Sequence, residues 1–260
     1  REQLGQDTLC RWLRRLPWDN CQLTRLLHVL MEYHVGHARQ GHTIFWQIDE
    51  QGRVRTGKMM KYRPDGHRDK EATWNFDFIH ATLARHWDAE KREMTDEPPY
   101  PFPHLYDPSK QEMRQCYFGM NLLNRWKRND IEQEVKIVES EKTALLMAIA
   151  YGNHAKQVWM ACGGLENLSR EKLKPLIDQG RRIILYPDRD GIDKWRIKAE
   201  QLHYDRVTVD DNPVTKWWKP EDGDKADIAD VVIRMVNNSK PMTPSDEVKV
   251  KMPETKELID

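Results

Sequence analysis

Between residues 135 and 236, short apolar runs alternate four times with stretches of helical spacing, and no other feature of the chain restricts its fold as tightly. Val135-Lys136-Ile137-Val138, Val158 to Ala161, Ile183 to Tyr186 and Val207 to Val209 read as strands. Ser140 to Ala150, Arg170 to Gln179, Asp193 to Leu202 and Asp227 to Val236 read as helices, the first closed by Gly152. Connections this short imply α/β architecture, a parallel sheet flanked by helices. In an open sheet of that kind the binding site lies beyond the carboxyl ends of the strands.

Upstream the pattern is mixed. Leu9, Trp12, Leu13 and Leu16 share one helical face that Pro17 ends. Asp19 with Gln22 reads as a capping box opening a second helix, with Leu23, Leu26, Leu27 and Leu30 on one side. Such a pair is more often a packing unit than a DNA-reading helix-turn-helix. Thr43 to Ile48 then reads as a strand, Asp49 to Gly52 as a turn, and Val54 to Tyr62 as the returning strand of a hairpin. The spacing predicts helices over Phe76 to Glu93 and Lys110 to Lys127. Pro98, Pro99, Pro101 and Pro103 between them predict an extended linker. The chain thus divides into a smaller mixed α+β basic module (1–97), a linker and connecting helix (98–130), the parallel domain (131–236) and a Pro-, Lys- and Glu-rich tail (237–260) expected to be mobile.

Composition excludes several classes. The 42 basic and 42 acidic residues balance, so only local patches can indicate a partner. Cys10, Cys21, Cys116 and Cys162 are too scattered for a zinc ribbon or a disulfide framework, which fits a reducing cytoplasm. No apolar run reaches membrane-spanning length, and the N-terminus is polar and Arg-rich. There is no phosphate-binding G-x-x-x-x-G-K-[ST], and Gly163-Gly164 lacks dinucleotide spacing. His34, His37 and His42 read as loop histidines rather than metal ligands, and Trp217-Trp218 as the anchor of a long loop rather than a base stack. One basic stripe stands out. From Arg53 to Lys70, Arg53, Arg55, Lys58, Lys61, Arg63, Arg68 and Lys70 outnumber Asp65 and Asp69, which suits phosphate contacts along a single strand or a solvated face.

Two of the strands end in acids. Glu139 stands at the tip of the first, and Asp188-Arg189-Asp190-Gly191 follows the third. Extended backbone aims residues i and i+2 to one side, so Asp188 and Asp190 are expected to project together. Hard oxygen donors so arranged suit Mg²⁺ or Mn²⁺, which can neutralise phosphate charge and assist displacement at phosphorus.

The order strand, Glu, helix, strand, helix, strand, D-x-D resembles a Toprim domain, the catalytic fold of bacterial primases, type IA and type II topoisomerases and some nucleases. The resemblance rests on V-K-I-V-E-S-E-K-T-A-L, I-I-L-Y-P-D-R-D-G and G-D-K-A-D-I-A-D, in which Asp227 is the closest match and Asp230 a second option. It implies Glu139 as general acid/base or metal-associated carboxylate, Asp188, Asp190 and Asp227 as metal ligands, and Glu141, Lys142 and Asp230 as auxiliaries. Primases of this type usually carry an acid where this chain has Thr143, so either the metal site is modified or activity is reduced; Glu141 is a substitute at a different angle.

F-W-Q-I-D-E-Q-G-R-V-R-T-G-K-M-M-K-Y and C-Y-F-G-M-N-L-L extend the likeness across most of the chain. They resemble an uncharacterised Toprim-like family of bacterial mobile elements, itself similar to a primase without its helicase-binding end. That resemblance implies an upstream zinc-finger segment and a template-guiding role for the hairpin. It implies a primase-like, metal-dependent nucleotidyltransferase acting on single-stranded DNA and nucleotides, alongside a replicative helicase or another mobile-element replication protein. A Toprim-type nuclease and a non-catalytic nucleic-acid-binding accessory protein are the alternatives, the second because of Thr143.

Overall fold

A computed structural model describes residues 7–38, 41–88, 93–94, 114–125, 133–154 and 156–239. The first helix, α1 (Thr8–Arg15), starts where Asp7 accepts a hydrogen bond from the Cys10 amide, and α2 (Asn20–Glu32) starts at the expected Asp19–Gln22 capping box. Both bury their leucine faces, so the pair is a packing unit, as its apolar spacing suggests.

Strands β1 (Val35–Ala38), β2 (His42–Ile48), β3 (Val54–Met60) and β4 (Phe76–Phe78) form an antiparallel sheet in sequence order. Register places Phe45 opposite Lys58, and Lys58 opposite Phe78. Phe45 and Met60 therefore point into the main core, while Ile44 and Met59 point the other way into a small cluster closed by Ile79 and Leu83 of α3 (Ile79–Arg85).

Two expected helices are corrected here. Phe76 to Phe78 is a strand because its alternating aromatics pair with β3, and α3 ends at Arg85, beyond which the apolar face runs out. Trp87–Asp88 (β5) then pairs with Glu93–Met94 (β6). Within the second predicted helix, residues 114–117 are irregular and Met120–Arg125 makes 3-10 turns. Gly119, at φ 90°, breaks the helical path. Residues 110–113, 126–127 and the prolines from 98 to 103 lie outside the described residues.

The parallel alternation is as expected. It runs β7 (Glu134–Val138), α4 (Glu141–Tyr151), β8 (Gln157–Ala161), α5 (Arg170–Asp178), β9 (Arg182–Leu185), α6 (Ile192–Gln201) and β10 (Val207–Val209). A short α7 (Asn212–Thr215), missed in the sequence, precedes α8 (Ile228–Ser239). Strand order is β10-β9-β7-β8, with Val135 level with Val158 and Ile183. Ser140 and Ser169 cap α4 and α5 by accepting the amides of Thr143 and Lys172. The tail assignment is shortened by three residues, since α8 continues through Asn237–Ser239; residues 240–260 lie outside the described residues. No helix among the described residues is long and apolar enough to cross a membrane. The four cysteines are free thiols, and burial pushes Cys162 up to about 12.

One continuous core joins the two sheets. Phe118 exchanges both backbone hydrogen bonds with Ala161 on the free edge of β8 (3.0 and 3.1 Å). Its ring packs at 5.0 Å on Tyr33 and 5.4 Å on Phe45. A Cβ at Gly119 would stand 2.9 Å from the Tyr33 ring and 3.0 Å from the Trp159 carbonyl oxygen, so only glycine fits the junction.

Candidate active site at the strand ends

The backbone leaving β7 and β9 sets the site. Glu139 follows Val138 directly, and its carbonyl accepts the Gly163 amide at 2.8 Å, fixing the strand tip. After β9, the chain continues through Tyr186 and Pro187 to Asp188, then closes a 3-10 turn over Arg189–Gly191. The expected extended D-x-D is thus corrected. The turn carries Asp190 outward, half exposed and ion-paired at 3.1 Å with Lys225, while Asp188 stays inside. Gly191 lets the turn pass close to Glu139, because a Cβ there would come within 2.8 Å of Glu139 Oε1.

Asp227 and Asp230 cap α8 reciprocally, each amide donating to the other's carboxylate at 3.0 Å. The free Asp227 oxygen, Oδ2, accepts the hydroxyl of Thr143, which is also 2.7 Å from Ser140 Oγ. Thr143 thereby occupies one oxygen of the Asp227 carboxylate.

Electrostatics follow from this crowding. Burial pushes Glu139 up to about 7; Asp190 and Asp227 add repulsion, and a hydrogen bond from the Asp188 amide opposes it. Burial, then Asp227, Glu139 and Asp190, hold Asp188 well above the usual carboxylate range. Asp230 is raised in the same way, by burial and then Asp227. Glu139 Oε1 is buried without a hydrogen-bond partner. Like charges gathered around an unsatisfied oxygen fit a divalent cation chemically. Among the described residues no three His, Cys, Asp or Glu side chains stand together so as to hold a metal ion. Any ion at this site would be a hydrated one, held by one or two carboxylates and completed by water and phosphate oxygens.

Other predicted residues are placed differently. Lys58, expected on the solvent-facing stripe, is buried; it donates to Glu141 Oε2 at 2.9 Å and to the Gly163 carbonyl at 3.2 Å. This ion pair ties the hairpin to the start of α4, two residues beyond Glu139. Glu141 is consequently committed to Lys58 rather than facing the acidic cluster. Lys142 reaches back to the hairpin module, over the Trp12 ring at 5.4 Å. Arg53 and Arg55 both bond Asp49, whose carboxylate also takes the Gln51 and Arg53 amides and so fixes the hairpin turn. Arg63 pairs with Asp65, and Arg68 donates to Asn75.

Sequence reading missed Lys225, although it lies within the third acidic segment. It also missed Arg189, which donates to the Val214 carbonyl and stacks 3.9 Å from the Trp218 ring centroid. Trp218 in turn donates to the Gly223 carbonyl at 2.8 Å, so it anchors the loop before α8; Trp217 is exposed.

A model of the family described as "Domain of unknown function (DUF6371)" matches residues 7–189. No curated protein matches the chain. Among solved structures it is similar to the primase fragment of the bacteriophage T7 primase-helicase protein, at 15% identity over 81% of this chain and 66% of that one, with a TM-score of 0.45. The chain thus spans just under two thirds of that fragment. It is similar to the RNA polymerase domain of Mycobacterium tuberculosis primase DnaG, at 15% identity over 90% of this chain and 77% of that one, with a TM-score of 0.42. A structure of the DnaG catalytic core matches at 15% identity over 90% of this chain and 71% of that one, with a TM-score of 0.47.

Proposed function

The chain belongs to the DUF6371 family, a domain of unknown function, and we propose that it is a primase-like, metal-dependent nucleotidyltransferase acting on single-stranded DNA. One observation carries this reading. Glu139, Asp188, Asp227 and Asp230 stand beyond the carboxyl edge of the parallel sheet, with Asp190 turned outward beside them and one Glu139 oxygen buried and unsatisfied. A strand-tip carboxylate with one oxygen free of any hydrogen bond is placed to take a proton from an attacking hydroxyl and return it to a leaving group. Asp188, with Glu139 directly or through water, would hold Mg²⁺ or Mn²⁺, which when bound neutralises phosphate charge at the site, while Asp190 and Asp227 would reach such an ion only by giving up Lys225 and Thr143. The Asp190–Lys225 pair is on the surface, so its loss would cost little. Arg53, Arg55, Lys61, Arg63 and Arg68 are proposed to track the strand's phosphates; Lys58 is withdrawn from that set by its burial. Replication of a mobile element, with a helicase or other replication protein as partner, is the setting the sequence resemblance suggests.

A second reading, the non-catalytic accessory protein, is favoured by the Thr143 hydroxyl on Asp227, which takes up an oxygen that a metal would need. Primer synthesis from labelled nucleotides on single-stranded DNA with Mn²⁺ or Mg²⁺ separates the two. The enzyme yields short products that Glu139→Gln reduces by roughly 10²-fold or more. Strand scission instead of synthesis identifies a nuclease on the same scaffold. Absence of any metal-dependent product, with unchanged DNA binding by Glu139→Gln, leaves the accessory role.

A further inference from the structure

Strand β4 is the outer edge of the antiparallel sheet, and it carries a row of aromatic rings that the core does not absorb. Phe76 is 41% exposed and Phe78 half-buried. The two rings meet edge to face at 5.3 Å, and Phe78 continues to His80 at 5.3 Å with the planes 31° apart. The Arg68 guanidinium lies 5.3 Å from the Phe76 centroid and Lys58 Nζ lies 5.8 Å from it.

Register fixes where this row leads. Phe76 is opposite Met60 and Phe78 opposite Lys58, so both rings emerge on the sheet face turned toward the parallel domain. Lys58 bonds Glu141 and the Gly163 carbonyl, so the row starts one side chain away from the first turn of α4 and the loop after β8, two residues along the chain from Glu139. We propose that Phe76 and Phe78, with Arg68 beside them, form a ledge on which unstacked bases of a nucleic-acid single strand lie as the strand approaches Glu139.

The proposal rests on the function proposed above and assigns its base contacts. Charge selects the occupant. Arg63, Arg68 and Lys70 stand exposed on the turn beside the edge, and a guanidinium already lies over a ring. An apolar protein partner would have to strip water from these cations, whereas a single strand supplies a phosphate for each cation and a π-face for each ring.

The test compares short oligo(dT) with an abasic deoxyribose-phosphate chain of the same length, using fluorescence anisotropy. Phe76→Ala with Phe78→Ala is expected to weaken oligo(dT) binding roughly tenfold or more, leave its salt dependence unchanged and leave the abasic chain unaffected. Phe76→Trp is expected to retain binding. Should the double variant fail to fold, Phe76→Ser alone, at a side chain already facing water, is expected to show the same selective loss. Equal losses on both ligands would overturn the ledge, as would an unchanged oligo(dT) affinity, with or without a lower Tm; the lower Tm would mean that another part of the protein covers the rings. If the wild-type protein binds the abasic chain but gains nothing from bases, the ledge falls and the function stands. If it binds neither ligand, both fall.

Discussion

In the parallel sheet, Ile137, Val158 and Ile183 are wholly enclosed, and the acids of the candidate site stand where the strands stop. In the antiparallel sheet, Phe45 and Met60 face inward, but the cations and rings run along a turn and an outer edge. The difference concerns how position is specified. A strand tip inherits the rigidity of the core behind it, so the acids can be forced together against their own repulsion. An edge has no such backing, and its groups make weak, replaceable contacts with water and with each other. Lys58 is the exception, a hairpin residue held to the standards of the core.

The largest expected effect exploits that exception. Lys58→Met strands the buried Glu141 carboxylate, and loss of one partner of a buried pair costs about 3–5 kcal/mol. Urea unfolding of the variant should show it, and Lys58→Met with Glu141→Leu should recover much of the loss. Arg63→Met, which breaks the exposed pair with Asp65, should leave the unfolding midpoint where it was. Similar results for Lys58 and Arg63 would erase the distinction drawn between interior and edge.

Next in size is the junction. Gly119→Ala places a Cβ against Tyr33 and Trp159 at a positive φ, with an expected cost of about 2 kcal/mol or more by denaturant titration. A neutral result would mean that the two sheets yield at their seam.

The acids make a prediction of opposite sign. The folded protein keeps the Asp188 proton at pH values where the unfolded chain, near 3.8, has released it. Folded protein then binds more protons than unfolded, so this group lowers stability as pH rises above about 4. Asp188→Asn removes that slope. It should raise Tm at pH 8 by about 3 °C or more, with the gain vanishing toward pH 4. Identical pH dependence in the two proteins would show Asp188 already ionised. Smallest is the edge: Arg63→Ala with Arg68→Ala should flatten the salt dependence of single-strand binding, by a slope of about 0.7 for each phosphate no longer neutralised, without changing Tm.

Legibility in the sequence divides along the same line. The elements from β7 to β9 are readable because their strands are short, mostly buried apolar runs between punctuating Ser, Gly and Pro residues, and β10 because Val207 and Val209 keep the alternation of a half-buried strand. The two outer strands of the antiparallel sheet are hidden. Val35-Gly36-His37-Ala38 lacks β-branched density beyond its first residue, and Phe76-Asp77-Phe78 fits helical spacing with Ile79 and Leu83 equally well. Glu139 and the two aspartates are legible as types and spacing, but the outward turn of Asp190 depends on the Arg189–Gly191 conformation, which spacing does not encode. Lys58 misleads because a lysine among basic neighbours looks solvated; its partner lies 83 residues away. Thr143 is legible as a missing acid, while its hydroxyl bond to Asp227 emerges only with the fold.

Phe118 lies on the free margin of β8 like a clasp, and the same segment reaches Tyr33 and Phe45 across the seam. A margin so covered offers no template to a stray strand. The shared core also predicts that the halves associate without a covalent link between them. Polypeptides severed between residues 94 and 114 should remain paired through a native gel filtration column, separate in denaturant, and find each other again on its removal. Each half alone would present the other's missing surface to solvent and be expected to aggregate.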